Sequence, residues 1–196
     1  MRLPTSKDSG FKSHPLRASL FKRWGYDNHG STAVEFAMVS IPFLMFVFSA
    51  FAIAMHFFTT SALEHGLDTA ARKLRTGQAQ AAGMTNQQFK DEICDSAFLD
   101  CNKLQIHVSS NDSWANVSPA TCTDGSGNLA NGTGTSGGLI GDQGGCAGRA
   151  YVITACYEWE LAKVIPLLDV GTLANGNGLI QASTAGRSEP HQFACP

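Results

Sequence analysis

Between Phe36 and Phe58 the chain reads FAMVSIPFLMFVFSAFAIAMHFF, 23 residues without a formal charge. Only Ser40, Pro42, Ser49 and His56 depart clearly from apolar character. As a helix rising 1.5 Å per residue, the run is roughly 35 Å long, enough for a hydrocarbon core of about 30 Å. A soluble amphipathic helix is apolar on one face only, so this run reads as a spanning helix. The residues admit two other readings: an unusually greasy buried helix, and a secretory signal peptide with Ala52-Ile53-Ala54 as its small-x-small site. Against the signal peptide stand a preceding region of about 35 residues and an apolar stretch beyond the usual 7–15.

Charge sets the expected orientation. Residues 1–30 hold Arg2, Lys7, Lys12, Arg17, Lys22 and Arg23 against Asp8 and Asp27, while the remainder of the chain is net acidic. A basic flank before the apolar run predicts a cytoplasmic N-terminus and a C-terminal part across the membrane. The overall net charge of −2 gives no footing for nucleic acid, which is not expected as a partner. Six cysteines, Cys94, Cys101, Cys122, Cys146, Cys156 and Cys195, all follow the apolar run. An even set there fits an oxidising compartment. Orientation and redox chemistry thus agree.

Just before the run stands Gly30-Ser31-Thr32-Ala33-Val34-Glu35-Phe36. A carboxylate at a bilayer margin is costly without a partner. Cleavage after Gly30 would create a free amine at Ser31, and Glu35 of one subunit could pair with the amine of its neighbour. Glycine suits a cleavage site because an unbranched residue enters a peptidase cleft easily. The same residues allow a plainer reading. Glu35 would snorkel to the interface in a first helical turn, with Ser31 or Thr32 as an N-cap in a near capping box.

Gly30, Glu35 and Phe36 ahead of an apolar helix resemble the processing motif of type IV pilins and pseudopilins. The fuller pattern, Gly30 to Ala37 with Pro42 and then Ala62-Leu63-Glu64 and Ala70-Ala71-Arg72, resembles the TadE/TadG-like proteins, minor pseudopilins of the tight-adherence (Flp-type) pilus. Tyr157-Glu158-Trp159 followed by Pro166, and Ala185-Gly186-Arg187-Ser188-Glu189-Pro190, are also similar to that family, except that Gly186 stands where its members often carry Phe or Val. The resemblance covers about 30–110 and 149–193. It implies a non-catalytic, single-pass inner-membrane protein that takes part in pilus assembly or initiation. Its implied partners are other pilin or pseudopilin subunits through the spanning helix, a prepilin peptidase acting between Gly30 and Ser31, and the inner-membrane assembly platform. Glu35 is the implied assembly charge. The alternative is a fixed anchor whose outer domain binds an envelope or surface ligand.

Beyond the membrane, Leu63, Leu67, Ala70, Ala71 and Leu74 recur at helical spacing. Asp68 and Arg72 form an i,i+4 pair, and Gly77 is a plausible stop. The spanning helix is therefore expected to continue as an amphipathic stalk, its stripe facing its own domain or, alternatively, neighbouring subunits. The expected organisation is a leader, 1–30; a spanning and stalk helix, 31–77; and an outer domain, 78–196. Thr85 to Asp100 reads as a second helix, capped by Thr85 or Asn86, with Phe89, Ile93 and Ala97 in its stripe. Alternation predicts strands at 104–108, 150–159 and 179–185. Without helical crossovers they imply an α+β fold with a small antiparallel sheet on the helices.

Residues 111–148 are rich in Gly, Ser, Asn, Thr and Asp and cannot form a core of their own. Cys94 and Cys101 are the expected local pair, although two helical turns, about 10 Å, must shorten to within about 7 Å by a bend near Leu99-Asp100. Cys122 with Cys146 would tie off the loop, leaving Cys156 for Cys195. Gly132, Gly134 and Gly137 match G-x-G-x-x-G, and Gly134, Ser136 and Gly138 match G-x-S-x-G. Neither has the strand and helix such motifs need. No cysteine or histidine spacing fits a metal site, so no cofactor and no catalysis are expected. His56 reads as a marker of the outer interface beside Phe57 and Phe58, or else as a proton site.

Overall fold

The computed structural model describes residues 31–132, 139–140, 146–164, 171–190 and 192. The expected leader, Gly30, residues 133–138 of the two Gly-rich motif matches, Pro166 and Cys195 lie outside the described residues. Among the described residues, four helices and three strands follow one another: α1 (Ser31–Arg75), α2 (Gln78–Ala81), α3 (Asn86–Ala97), β1 (Leu104–Asn111), β2 (Ala150–Trp159), α4 (Leu161–Val164) and β3 (Gly178–Arg187). Single 3-10 turns stand at Cys101–Lys103 and Trp114–Asn116.

α1 is one continuous helix of 45 residues with Pro42 inside it. A proline removes one backbone donor, which a helix in lipid tolerates where hydroxyls and neighbouring groups re-satisfy the backbone. Ser40 Oγ donates to the Ala37 carbonyl, and Thr59, Thr60, Thr69 and Thr76 donate to carbonyls four residues back, so each hydroxyl is spent within the helix. Arg72, Lys73 and Arg75 fill the last turn, where cations favour the dipole. Gly77 follows in the left-handed region, φ 75°, and ends the helix.

The stripe Leu63, Leu67, Ala70, Ala71 and Leu74 is buried in the protein's own core. Own-domain packing of the stalk is what the structure shows. α3 lies antiparallel along it: Lys73 Nζ meets Glu92 Oε1 at 2.6 Å, while a Cβ on Gly66 would stand 2.8 Å from the Ile93 carbonyl and 3.2 Å from Ala97 Cβ. The missing side chain of Gly66 therefore lets the two helices touch. α3 starts on a full capping box, Thr85 with Gln88. It ends at Ala97, earlier than the expected Asp100, because Phe98 turns to φ 54°, ψ 40°. That bend brings Cys94 and Cys101 to a Cα separation of 5.6 Å, and they are bonded.

The sheet is antiparallel in the order β1-β2-β3. Leu104 pairs with Tyr157 and Asn111 with Ala150, while Ala150 pairs with Arg187 and Trp159 with Gly178. Alternation sends Leu104, Ile106, Val108, Tyr151, Ile153, Ala155, Tyr157, Ile180 and Ala182 against the helices. The opposite face of β2 is buried as well, at Val152, Thr154 and Cys156. It is covered by the long β1–β2 connection. Ala120 N–H donates to Thr154 Oγ1, Gly132 N–H to Gln105 Oε1, and Cys122 is bonded to Cys156. This corrects the expected Cys122–Cys146 and Cys156–Cys195 pairs. The alternation that turns Tyr157 inward turns Cys156 outward, under the loop, where Cys122 meets it at a Cα separation of 5.6 Å. Cys146 is itself disulfide-bonded.

The ending Arg187-Ser188-Glu189 ties β3 to the helix end. Arg187 Nε donates to the Gly148 carbonyl, Ser188 N–H to the Arg149 carbonyl and Glu189 N–H to the Arg75 carbonyl. The last bond satisfies one of the free carbonyls at the C-terminus of α1. Gly186 leaves room for Tyr151: a Cβ there would stand 2.5 Å from the Tyr151 hydroxyl.

Candidate assembly surface

Along most of the apolar run the side chains are exposed among the described residues. Phe36, Met38, Val39, Phe43, Phe46, Phe48 and Phe51 are more than 60% exposed, and they point to every side of the helix. A soluble surface of this size does not stay bare; a helix that is apolar all round is covered by lipid or by other protein. α1 is described from Ser31 onward. Glu35 is exposed in the second turn, directly before the apolar run. The junction thus presents one carboxylate at the margin of an otherwise uncharged surface, where charge is costly unless paired or hydrated.

The C-terminal end of the run is marked by contact with the sheet. His56 meets Trp159 edge to face, ring centroids 5.2 Å apart. Thr59 is buried, and from Leu63 onward the stripe belongs to the core. His56 thus faces the sheet at the C-terminal end of the run. Each residue of Tyr157-Glu158-Trp159 has its own task. Tyr157 enters the helix-side core, and burial pushes its hydroxyl pKa up. Glu158 accepts from Asn175 Nδ2 and Asn177 Nδ2, closing the β2–β3 connection. Trp159 meets the helix. Sequence reasoning missed the Glu158 clasp and Gly66. The pair of asparagines after a Gly-rich turn was the only signal for the first, and nothing local signalled the second.

On the far face, the β1–β2 connection forms a small closed turn. Asp124 Oδ1 accepts from the Ser126 and Asn128 amides, and Thr123 pairs with Leu129. Beneath it His107 is buried, with Nε2 lacking a hydrogen-bond partner among the described residues. Burial lowers its pKa against the opposing pull of a backbone hydrogen bond with Ala130. A cleft of about 270 Å³ opens between α3, β1 and the loop, lined by Asn86, Phe89, Lys90, Gln105, Asn131 and Gly132 among others. Burial lowers the pKa of Lys90 there. Among the described residues no group of His, Cys, Asp and Glu is arranged to hold a metal ion.

Residues 30–72 match the family model described as TadE-like protein. The matched segment runs from the junction glycine through the whole apolar run into the buried stripe. Neither the curated proteins nor the solved structures yield a match to this chain. The likeness covers the helix segment alone, and among the described residues one helix is long and apolar enough to fit a single-pass membrane anchor.

Proposed function

With a TadE-like helix as the premise, we propose that this chain is a minor pseudopilin that takes part in the assembly or initiation of a tight-adherence pilus at the inner membrane. The observation that carries the reading is the helix: apolar and exposed on every side, preceded by Gly30 and headed by Glu35. Such a surface serves equally for residence in lipid and for packing against other pilin helices. In this reading the basic leader stays in the cytoplasm and a prepilin peptidase cuts between Gly30 and Ser31. The new amine of one subunit then meets Glu35 of another, an ion pair strengthened by the low dielectric around it. The cysteines lie in the oxidising compartment beyond the membrane. The role is structural, and no catalysis is assigned to any residue.

The test is the mass of the mature N-terminus in cells that hold the peptidase. A chain beginning at Ser31, and its loss in Gly30→Leu, are expected. An intact leader in the native protein would overturn processing, and with it the pairing assigned to Glu35. The second reading, a fixed anchor whose outer domain binds an envelope ligand, draws support from the cleft beside Lys90 and Asn131. Cross-linking from α1 separates the two: partners bearing the same glycine-glutamate junction support assembly, and their absence supports a lone anchor.

A further inference from the structure

The end of the sheet nearest the apolar run carries exposed apolar side chains that the domain does not use. α1 and β2 run antiparallel, because His56 touches Trp159 while Tyr151 Oη donates to the Ala71 carbonyl at 3.4 Å. Trp159 is therefore level with the last turn of the run, where Phe57 and Phe58 are exposed. α4 begins two residues after Trp159, with Ala162 buried and Leu161 45% exposed. α3 is antiparallel to α1 as well, so its C-terminus points toward the same end. There Phe98 is 94% exposed and held in the left-handed region, which crowds a side chain that has a Cβ. A phenylalanine in that position adds no packing to the domain and strains its backbone, so whatever it gains comes from outside the domain.

Two ion pairs stand at this end, and Glu158, Asp95 and Glu64 lie at the same end of the domain. Lys103 meets Glu160 at 2.8 Å and Asp100 at 3.7 Å, and Lys163 is exposed beside them. An apolar and aromatic foot that continues directly from the spanning helix has the character of a headgroup-level contact. We propose that this foot rests on the outer surface of the bilayer that α1 crosses, with Leu161 in the headgroup–acyl boundary and Phe98 reaching the headgroups. The contact would be a second, monotopic attachment that fixes how the domain stands on the membrane. Phe98 is the shallower of the two. Ala97 lies against Gly66, eight residues beyond Phe58, which is about 12 Å higher along a helix. Because Leu161 and Phe98 make the contact, it is apolar and insensitive to salt.

The inference rests on α1 spanning the bilayer, and the experiment keeps the two apart. The full chain, with Trp24, Trp114 and Trp159 replaced by Phe, receives one tryptophan at a time, as Phe46→Trp, Leu161→Trp or Phe98→Trp. It is reconstituted in zwitterionic vesicles with and without brominated acyl chains. Loss of most emission is expected at Leu161→Trp, a partial loss at Phe98→Trp, and none in the chain that keeps only native Trp114, at the opposite end of β1. The pattern should persist at high salt. Quenching of Phe46→Trp with none at Leu161→Trp would overturn the foot and leave the anchor standing, assigning this face to a protein partner. No quenching at Phe46→Trp would overturn the anchor itself. A chain keeping only native Trp159 reads the same level without altering the foot, and an unquenched Trp159 would likewise count against the proposal.

Discussion

At the residue scale, single side chains hold faces together that are distant in sequence. The bond between Cys122 and Cys156 closes a separation of 34 residues, and that between Cys94 and Cys101 only seven. Chain entropy makes the longer closure the stronger, about 3–4 kcal/mol against about 2 kcal/mol. The paired change Cys122→Ala with Cys156→Ala is therefore expected to lower the denaturation midpoint of the full chain in detergent more than Cys94→Ala with Cys101→Ala. Peptide mapping without reduction checks both bonds directly. His107 gives a pH dependence. Burial lowers its pKa in the folded state, whereas in the unfolded chain it titrates near 6.5. Below that value the unfolded chain binds a proton that the folded one resists. Stability is thus fully present above about pH 6.5 and falls as pH drops below it. Denaturation between pH 7 and pH 5 should show this slope, and His107→Gln should flatten it. A slope unchanged in the variant would remove His107 as its source.

At the scale of elements, the helix pair depends on a residue with no side chain. Gly66 sits in the interior of α1, where alanine would be intrinsically better by about 1 kcal/mol. The nearby Ile93 carbonyl and Ala97 Cβ leave no room for a larger group. Gly66→Leu is expected to cost about 2–3 kcal/mol by overpacking, read as a lower thermal midpoint with the helical content of the folded chain retained. A variant as stable as the parent would mean that α1 and α3 part without cost. The second anchor of α1 is its C-terminus, where Glu189 N–H caps the Arg75 carbonyl and its carboxylate lies 3.8 Å from Arg75 Nε. Both groups of that ion pair are half exposed, so the backbone bond carries more of the attachment than the charge pair does.

At the scale of the whole molecule, one helix divides its residues between two surroundings. The first part is apolar on every side and the later part is apolar along one stripe. On the proposed function, Glu35→Ala leaves membrane insertion and the disulfide-bonded domain intact while abolishing cross-links from α1 to other pilin helices. Carbonate extraction and cross-linking measure the two effects separately, and unchanged cross-linking would sink the role assigned to Glu35. Much of this architecture was legible in the chain because it is written in short periods. The 23-residue run, the stripe Leu63 to Leu74, the Thr85 cap, the stop at Gly77 and the three alternating strands depend on neighbours within one or two turns, or one strand, of each other. Those elements by themselves determined an α+β domain behind an apolar helix. Which surfaces meet was decided only by the tertiary structure. The partner of Cys156, the closeness that Gly66 allows, the grip of Glu189 on Arg75 and the descent of β2 back to His56 join residues far apart along the chain. No local period encodes such pairs, because each exists only once two faces have been packed together.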